Sequence, residues 1–369
     1  MSKSNRLLSL DVFRGITIAA MIVVNNPGSW STVYPPLLHA SWHGCTLTDL
    51  VFPFFLFIVG VAICLSLGRV ANQKENHKKV IQHIIKRSVT LFLIGLFLNA
   101  FPYFDLYELR IPGVLQRIAI VFLVCAVVFL KTNRKTQIAI GSIILLIYWL
   151  MFLIIPVPGV DTGSLERGAN LAAWIDSMLL QGHMWTVTKT WDPEGVLSTL
   201  PAIVTGMLGM VAGQWISNKD LTPQDKLIKL FVAANILIVV ALFWSLFFPI
   251  NKSLWTSSYV LYTGGIAMHF LAFLYWLLDV KMLRSKYWTP FKAFGMNALF
   301  VYMLSMLMAS LIVALKLSEN LSVQEWLFGG LSSFITDPYL PSFIYAMLFT
   351  LVMFIPTWVL YKRNIIIKV

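Results

Sequence analysis

The sequence predicts an all-α, polytopic integral membrane protein: a bundle of about ten transmembrane helices with both termini cytoplasmic. Three observations carry that reading. The composition is 58% hydrophobic and only 12% charged, with a mean hydropathy of +0.78, far outside the range of soluble globular domains. Apolar runs of about 20 residues, the length an α-helix needs to cross roughly 30 Å of hydrocarbon, recur along the chain. The basic residues collect in alternate loops between those runs, which sets an orientation.

In chain order the spans are expected near residues 10–27, 46–67, 85–101, 112–130, 137–156, 196–216, 230–248, 255–278, 290–315 and 339–361. The first follows MSKSNRLLSLDVFRG without a small-residue cleavage pattern after it, so it reads as a retained span and not as a removed signal peptide. Cys64 and Cys125 fall inside spans and Cys45 just before one, so neither a disulfide framework nor a metal site is indicated. No repeat of 20–50 residues, heptad pattern or low-complexity tract is visible in the 369 residues, and a single transmembrane domain over 1–369 is the economical reading.

The net charge of +12 is not read as a nucleic-acid signal, because of where the charge lies. Of 28 Lys and Arg residues, 21 fall at the N-terminus, after spans two, four, six and eight, and at the C-terminus. The intervening loops hold Arg110, Arg167, Lys189, Lys252 and Lys316, and Arg14 and Arg117 lie within spans. By the positive-inside rule the basic loops are cytoplasmic. RVANQKENHKK (69–79) then anchors topology, with anionic-lipid or nucleotide binding as the lesser reading. The outer loops become 28–45, 102–111, 157–195, 249–254 and 316–338. The longest contains Asp161, Glu166, Asp176, Asp192 and Glu194, and its WTVTKTWDPEG segment (185–195) reads as a turn feeding span six.

Inside a membrane the informative residues are those that cost energy to place there, so an intramembrane ionisable group marks function by default. Asp11 and Arg14 lie three apart at the inner end of span one and pair on one helix face. At the outer end come Asn25 and Asn26, then a loop with His39, Trp42 and His43, then Asp49 about one turn into span two and Pro53 beyond it. RIPGVLQR (110–117) carries Arg110, Gln116 and Arg117, with Arg117 expected about two turns, roughly 10 Å, below Arg110. DPEG (192–195) precedes span six, and NKSLWTSSY (251–259) follows span seven. Five segments thus bring polar groups to one side, which implies a shared cavity open to water outside.

Those residue types limit the chemistry. A neutral imidazole takes a proton from an amine or hydroxyl at ordinary pH, and a carboxylate on its other nitrogen fixes the tautomer. His39 and Asp49 form such a pair if the loop folds back, while Asn and Trp N–H groups supply oxyanion donors for acyl transfer. On the residues alone His39 reads first as a histidine that caps or hydrogen-bonds a loop and second as a base, and His43 competes for the latter role. His269 reads as a buried hydrogen-bonding residue; His77, His83 and His183 read as solvated.

SLDVFRGITIAAMIVVNN, HASWHGCTLTDLVFPFFLFIVG, RIPGVLQRI, PVPG, WDPEG and NKSLWTSSYV, in this order, resemble the membrane core of the heparan-α-glucosaminide N-acetyltransferase family. The likeness is to its compact bacterial members, also labelled N-acetylglucosamine-related transporters, which lack the animal enzyme's N-terminal luminal region. The resemblance implies acetyl transfer from cytoplasmic acetyl-CoA, with no metal, to a glucosamine amine on the far side of a bacterial cytoplasmic membrane. It places the active histidine of the HASW motif at His39 and the asparagine closing span one at Asn25. With Asp49 these form the expected catalytic set. Contacts to substrate or CoA are expected from Arg14, Trp42, His43, Arg110, Gln116, Arg117, Asp192, Glu194, Asn251, Lys252, Trp255, Ser258 and Asn297. Two departures stand out: Ser305 in MNALFVYMLSM occupies the place of a family histidine, and His43 the place of an asparagine. The expected partners are acetyl-CoA, an amino-sugar or glycan acceptor and membrane lipids, with a homodimer left open. Two other functions fit the same features, an amino-sugar permease and an O-acyltransferase acting on an envelope polysaccharide.

Overall fold

The structure is a computed structural model that describes residues 7–71, 73–283 and 285–367. Lys3, Arg6, Arg284 and Lys368, counted above among the inner charges, lie outside the described residues. Among those described, nine helices are long and apolar enough to cross a membrane, or ten if one bent pair counts as a span. They are α1 (Leu8–Asn25), α2 (Leu47–Leu67), α3 (His77–Ala100), α4 (Val114–Lys131), α5 (Arg134–Ile154), α7 (Thr199–Ser217), α8 (Pro223–Trp244), α9 (Ser257–Tyr275, continued as a π-helical turn to Val280) and α13 (Leu340–Lys362). The expected ninth span is broken. Its halves, α10 (Thr289–Met296) and α11 (Ala298–Ala314), meet at Asn297 with a bend of 75°.

The helix starts follow local chemistry. Asn133 accepts from Thr136 N at 3.0 Å to cap α5, and Thr222 with Asp225 forms a capping box ahead of Pro223 at the start of α8, satisfying N–H groups that have no partner inside the helix. α4 begins only at Val114, because Pro112 holds the residue before it extended and Gly113 is its N-cap. Arg117 therefore lies in the first turn of α4 and not two turns below Arg110, a correction to the sequence expectation. α3 begins earlier than expected, which buries His77 at 7% exposure with its Nε2 3.1 Å from Ala71 O; that histidine is not solvated.

Small residues let the central helices touch. A Cβ at Gly60 of α2 would stand 1.9 Å from the Gly206 carbonyl oxygen of α7, so these backbones pack at a separation only glycine permits. α2, α7 and α9 form the buried interior, whereas α5 and α8 present exposed Ile, Leu, Val and Phe along their outer faces, as helices facing lipid do.

Short elements cover one end of the bundle. A two-stranded hairpin, β1 (Leu165–Glu166) with β2 (Ala169–Asn170), leads into α6 (Leu171–Leu180). A second hairpin, β3 (Lys316–Ser318) with β4 (Leu321–Ser322), leads into α12 (Val323–Ser332). The opposite end holds the first residues of α1, where Leu8 N and Ser9 N donate to the Asp279 carboxylate at 3.2 and 3.0 Å, and the chain's last described residues. There Asn297 grips the tail: its Nδ2 donates to Ile365 O at 3.1 Å and its Oδ1 accepts from Ile367 N at 2.9 Å.

Candidate active site

The covered end contains a cavity of about 700 Å³, within the size range of small-ligand sites. Its reactive wall is built by the start of α2. Thr46 and Asp49 form a capping box, a pattern that aims the acidic side chain back at the preceding loop. One Asp49 oxygen, Oδ2, accepts from Thr46 N at 2.9 Å and Ala40 N at 3.0 Å. The other, Oδ1, is thereby left to His39 Nδ1 at 2.6 Å. The loop does fold back, and the expected pair forms. The Asp49 side chain is 1% exposed and that of His39 47%, so a buried carboxylate orients an accessible imidazole and leaves the lone pair of Nε2 facing the cavity.

Lys252 meets that face. Its Nζ lies 3.1 Å from His39 Nε2 and 3.3 Å from Nδ1. Burial lowers the Lys252 pKa, and Glu194 and Asp49 offset this only in part. Asn25, exposed at the last turn of α1, lines the same cavity. The tryptophan N–H groups expected to serve an oxyanion are committed elsewhere: Trp42 Nε1 donates to Leu165 O at 2.8 Å, and Trp255 Nε1, fully buried, donates to Thr205 Oγ1 at 3.1 Å. Trp42 still lines the cavity with its ring, under the Arg167 guanidinium at 5.3 Å.

A second ionic group braces the opposite wall. Arg110 donates through Nε and Nη2 to both Asp192 oxygens at 2.8 and 2.6 Å, and through Nη2 to Glu194 at 2.6 Å. Burial alone would lower the Arg110 pKa, but its two carboxylates outweigh that and raise it. Burial would likewise raise Glu194, and Arg110, Arg117 and Lys252 together hold it below its ordinary value. Arg110 and Glu194 line the cavity; Asp192, 2% exposed, stands behind them.

The other expected contacts lie outside this cavity. Arg117, 1% exposed, donates to Gly195 O and Ser198 Oγ and stacks on Trp255 at 4.9 Å. Gln116 is buried at 3% against Gly95 and Gly113. Asn251 holds its own turn, accepting from Leu254 N at 2.9 Å, and its Nδ2 reaches His43 Nδ1 at 3.3 Å. Ser258 donates to Phe248 O. Arg117, Asn251 and Ser258 each bond a neighbouring backbone group and so brace the turns around the site, whereas Gln116 Nε2 and Arg117 Nε and Nη1 are buried with no hydrogen-bond partner among the described residues. Partial burial lowers the His43 pKa; the residue is exposed and is not among those that line the cavity. His269 is half-buried against the Phe231 ring, and Ser305 bonds back to Tyr302 O within α11.

Arg14 and Asn297 line a different cavity, about 570 Å³ at the other end of the bundle, with Arg87, Ser66, Ile366 and Ile367. Arg14 also pairs with Asp11 at 3.5 Å, as expected, and donates to Gly295 O at 3.2 Å. The two cavities share helices: Phe52 and Val114 line the first, Phe55 and Ile118 the second. One helical turn on α2 and on α4, about 5.4 Å, separates them.

Sequence reasoning missed Arg167, Trp185 and Trp191 in the first cavity and Arg87 in the second. The long loop's aromatic punctuation was the available signal for the tryptophans. Among the described residues no three His, Cys, Asp or Glu side chains converge as metal ligands would.

The family model described as heparan-alpha-glucosaminide N-acetyltransferase, catalytic, matches residues 6–248, a stretch holding His39, Asp49, Asn25 and the Arg110 cluster. Heparan-alpha-glucosaminide N-acetyltransferase of Homo sapiens is 32% identical, the match covering 80% of this chain and 52% of that protein. The Mus musculus protein is 33% identical over 82% of this chain and 53% of its own. The chain spans about half the length of the curated relatives it matches. With more than half of its residues inside the catalytic model, this chain belongs to the heparan-α-glucosaminide N-acetyltransferase family.

Proposed function

We propose that this chain is a membrane acetyltransferase that moves an acetyl group from cytoplasmic acetyl-CoA to the amine of a glucosamine-type sugar on the extracytoplasmic side. The carrying observation is the His39–Asp49 pair, an exposed imidazole held by a buried carboxylate inside a cavity. The charge pattern supports an extracytoplasmic covered end and a cytoplasmic Arg14 and Arg87 cavity. The second cavity offers two guanidiniums to the phosphates of CoA. A pantetheine arm of roughly 15 Å, about half the hydrocarbon thickness, reaches the first cavity once the turn of side chains between Phe52 and Phe55 yields.

In the reaction the sugar amine displaces the Lys252 ammonium from His39 Nε2 and attacks the thioester carbonyl. The new C–N bond forms as the amine proton passes to Nε2, while Asp49 keeps the Nδ1 proton and stabilises the imidazolium. Asn25 and Lys252 stand where N–H donors face the oxyanion. Collapse breaks the C–S bond, and the imidazolium returns its proton to the CoA thiolate, leaving amide and free thiol. The active histidine thus acts as base, and transfer is direct; an acetyl-histidine trapped without acceptor under rapid quench would replace this path by a two-step one.

The deciding experiment measures CoA release by protein in nanodiscs with glucosamine and with hydroxyl-only sugars as acceptors. Release with glucosamine that is lost in His39→Ala supports the reading; full turnover in that variant ends it. The broken span at Asn297 and cavities at both ends suit a permease as a second reading. Sugar flux without CoA turnover would select it.

A further inference from the structure

A third cavity, about 390 Å³, adjoins the first and has Asn25 in the walls of both. The reaction above does not use it. Its walls come from regions far apart in sequence: the loop after α1, the turn after α3, the last turns of α11 with Ser310, Gln324 of α12 and Tyr345 of α13. Two rings, Trp30 and Tyr103, keep 60% and 77% of their surface exposed while lining it. Aromatic residues at a membrane interface commonly face headgroups, but these two share a concave wall with Asn26, Ser310 and Gln324.

Tyr345 supplies the independent sign of a ligand. It is 5% exposed, lines the cavity, and its hydroxyl is buried with no hydrogen-bond partner. A buried hydroxyl without a partner is costly, and a bound group that supplies one removes the cost. Flat rings beside amide and hydroxyl groups match a sugar, whose C–H face lies on an aromatic while its hydroxyls pair with polar side chains. None of the lining residues is Lys, Arg, His, Asp or Glu. A carboxylate or sulfate moved there would lose its hydration with no cation in return.

We infer that this cavity is a subsite for an uncharged sugar ring, the one glycosidically linked to the glucosamine whose amine is acetylated, with Asn25 standing between the two rings. The placement of the acceptor amine rests on the function proposed above; the sugar site itself does not. The test titrates wild-type protein in nanodiscs with N,N′-diacetylchitobiose, an uncharged disaccharide without a free amine, and with a disaccharide of equal size bearing a uronate. Calorimetry reads the binding, with thermal unfolding as a check on folding. Diacetylchitobiose is expected to bind, the uronate about ten-fold or more weaker, and Trp30→Ala and the conservative Tyr345→Phe to weaken diacetylchitobiose about ten-fold. Absent binding, equal binding by the uronate, or folded variants that bind like wild type would overturn the inference. Wild-type CoA release with glucosamine is measured alongside: its failure with diacetylchitobiose binding intact removes the acetyl-transfer reading and leaves the subsite, while the reverse removes the subsite alone.

Discussion

Two ionic groups face each other across the first cavity, and they are built differently. Arg110, Asp192 and Glu194 satisfy one another at 2.6–2.8 Å, and Asp192 takes the Trp185 and Glu194 backbone N–H groups as well. His39, Asp49 and Lys252 saturate only the carboxylate; the imidazole keeps nearly half its surface open, and among the described residues its Nε2 is met by a lysine whose charge burial disfavours. Charges that satisfy one another stabilise a wall. A charge arrangement that leaves one lone pair toward a cavity has something left to do to a substrate. The same residue types within one site thus separate into support and chemistry by where their last hydrogen bond goes.

Substitutions on each side sharpen or break this contrast. His39→Ala is expected to lower kcat by about 10³- to 10⁴-fold and to leave stability within about 0.5 kcal/mol, since the ring is half exposed. Asp49→Asn should follow it in kcat, because the wrong tautomer is then held. On the other wall, Asp192→Ala leaves Arg110 short of its main partner and is expected to cost about 3 kcal/mol or more of stability, read as a lowered Tm in the same nanodiscs. If Asp192→Ala spares stability and His39→Ala collapses it, the division is wrong.

Lys252→Met is expected to lower kcat/KM by about 100-fold, the lower end of what removal of one oxyanion donor costs. Because burial lowers the Lys252 pKa, activity that needs its ammonium falls as pH rises through that lowered value. Lys252→Arg should move the alkaline limb of kcat/KM to higher pH, and an unmoved limb would assign it to another group.

The smallest effect concerns Asp176 of α6, whose carboxyl burial pushes up to about 6 although Val196 N and Asp192 N bond to it. Between its unfolded value of about 3.9 and 6, the folded state binds the extra proton, so stability falls as pH rises through that window. The Tm difference between pH 4.5 and 7.5 should therefore shrink in Asp176→Asn by the equivalent of about 1–2 kcal/mol. An unchanged difference would mean the carboxyl is not strained by its surroundings.

Much of this architecture was legible before the structure. Span positions follow from apolar length, which responds to the bilayer's thickness and hardly to neighbours. The His39–Asp49 pair was legible because both residues bracket one helix start. The break at Asn297 was not: apolar residues run on both sides of it, and only the tail's two hydrogen bonds reveal why the helix turns there. Arg117, Gln116 and Trp255 were expected at the cavity because they are polar in apolar surroundings, yet Arg117 turns to Gly195 and Ser198 ahead of α7, Trp255 to Thr205 of α7, and Gln116 packs against Gly95 and Gly113, none of which a local pattern announces. Arg87 follows Lys86 in the basic first half of α3, and only the packing of that helix turns it to a cavity.

The grip of Asn297 on Ile365 and Ile367 carries a practical consequence for anyone adding sequence to this protein. Ile366 and Ile367 themselves line the arginine-bearing cavity, so an affinity tag or fluorescent reporter added downstream of them starts close to it. On the function proposed above such a fusion is expected to slow donor entry by obstruction, so activity is best compared with the added sequence cleaved away.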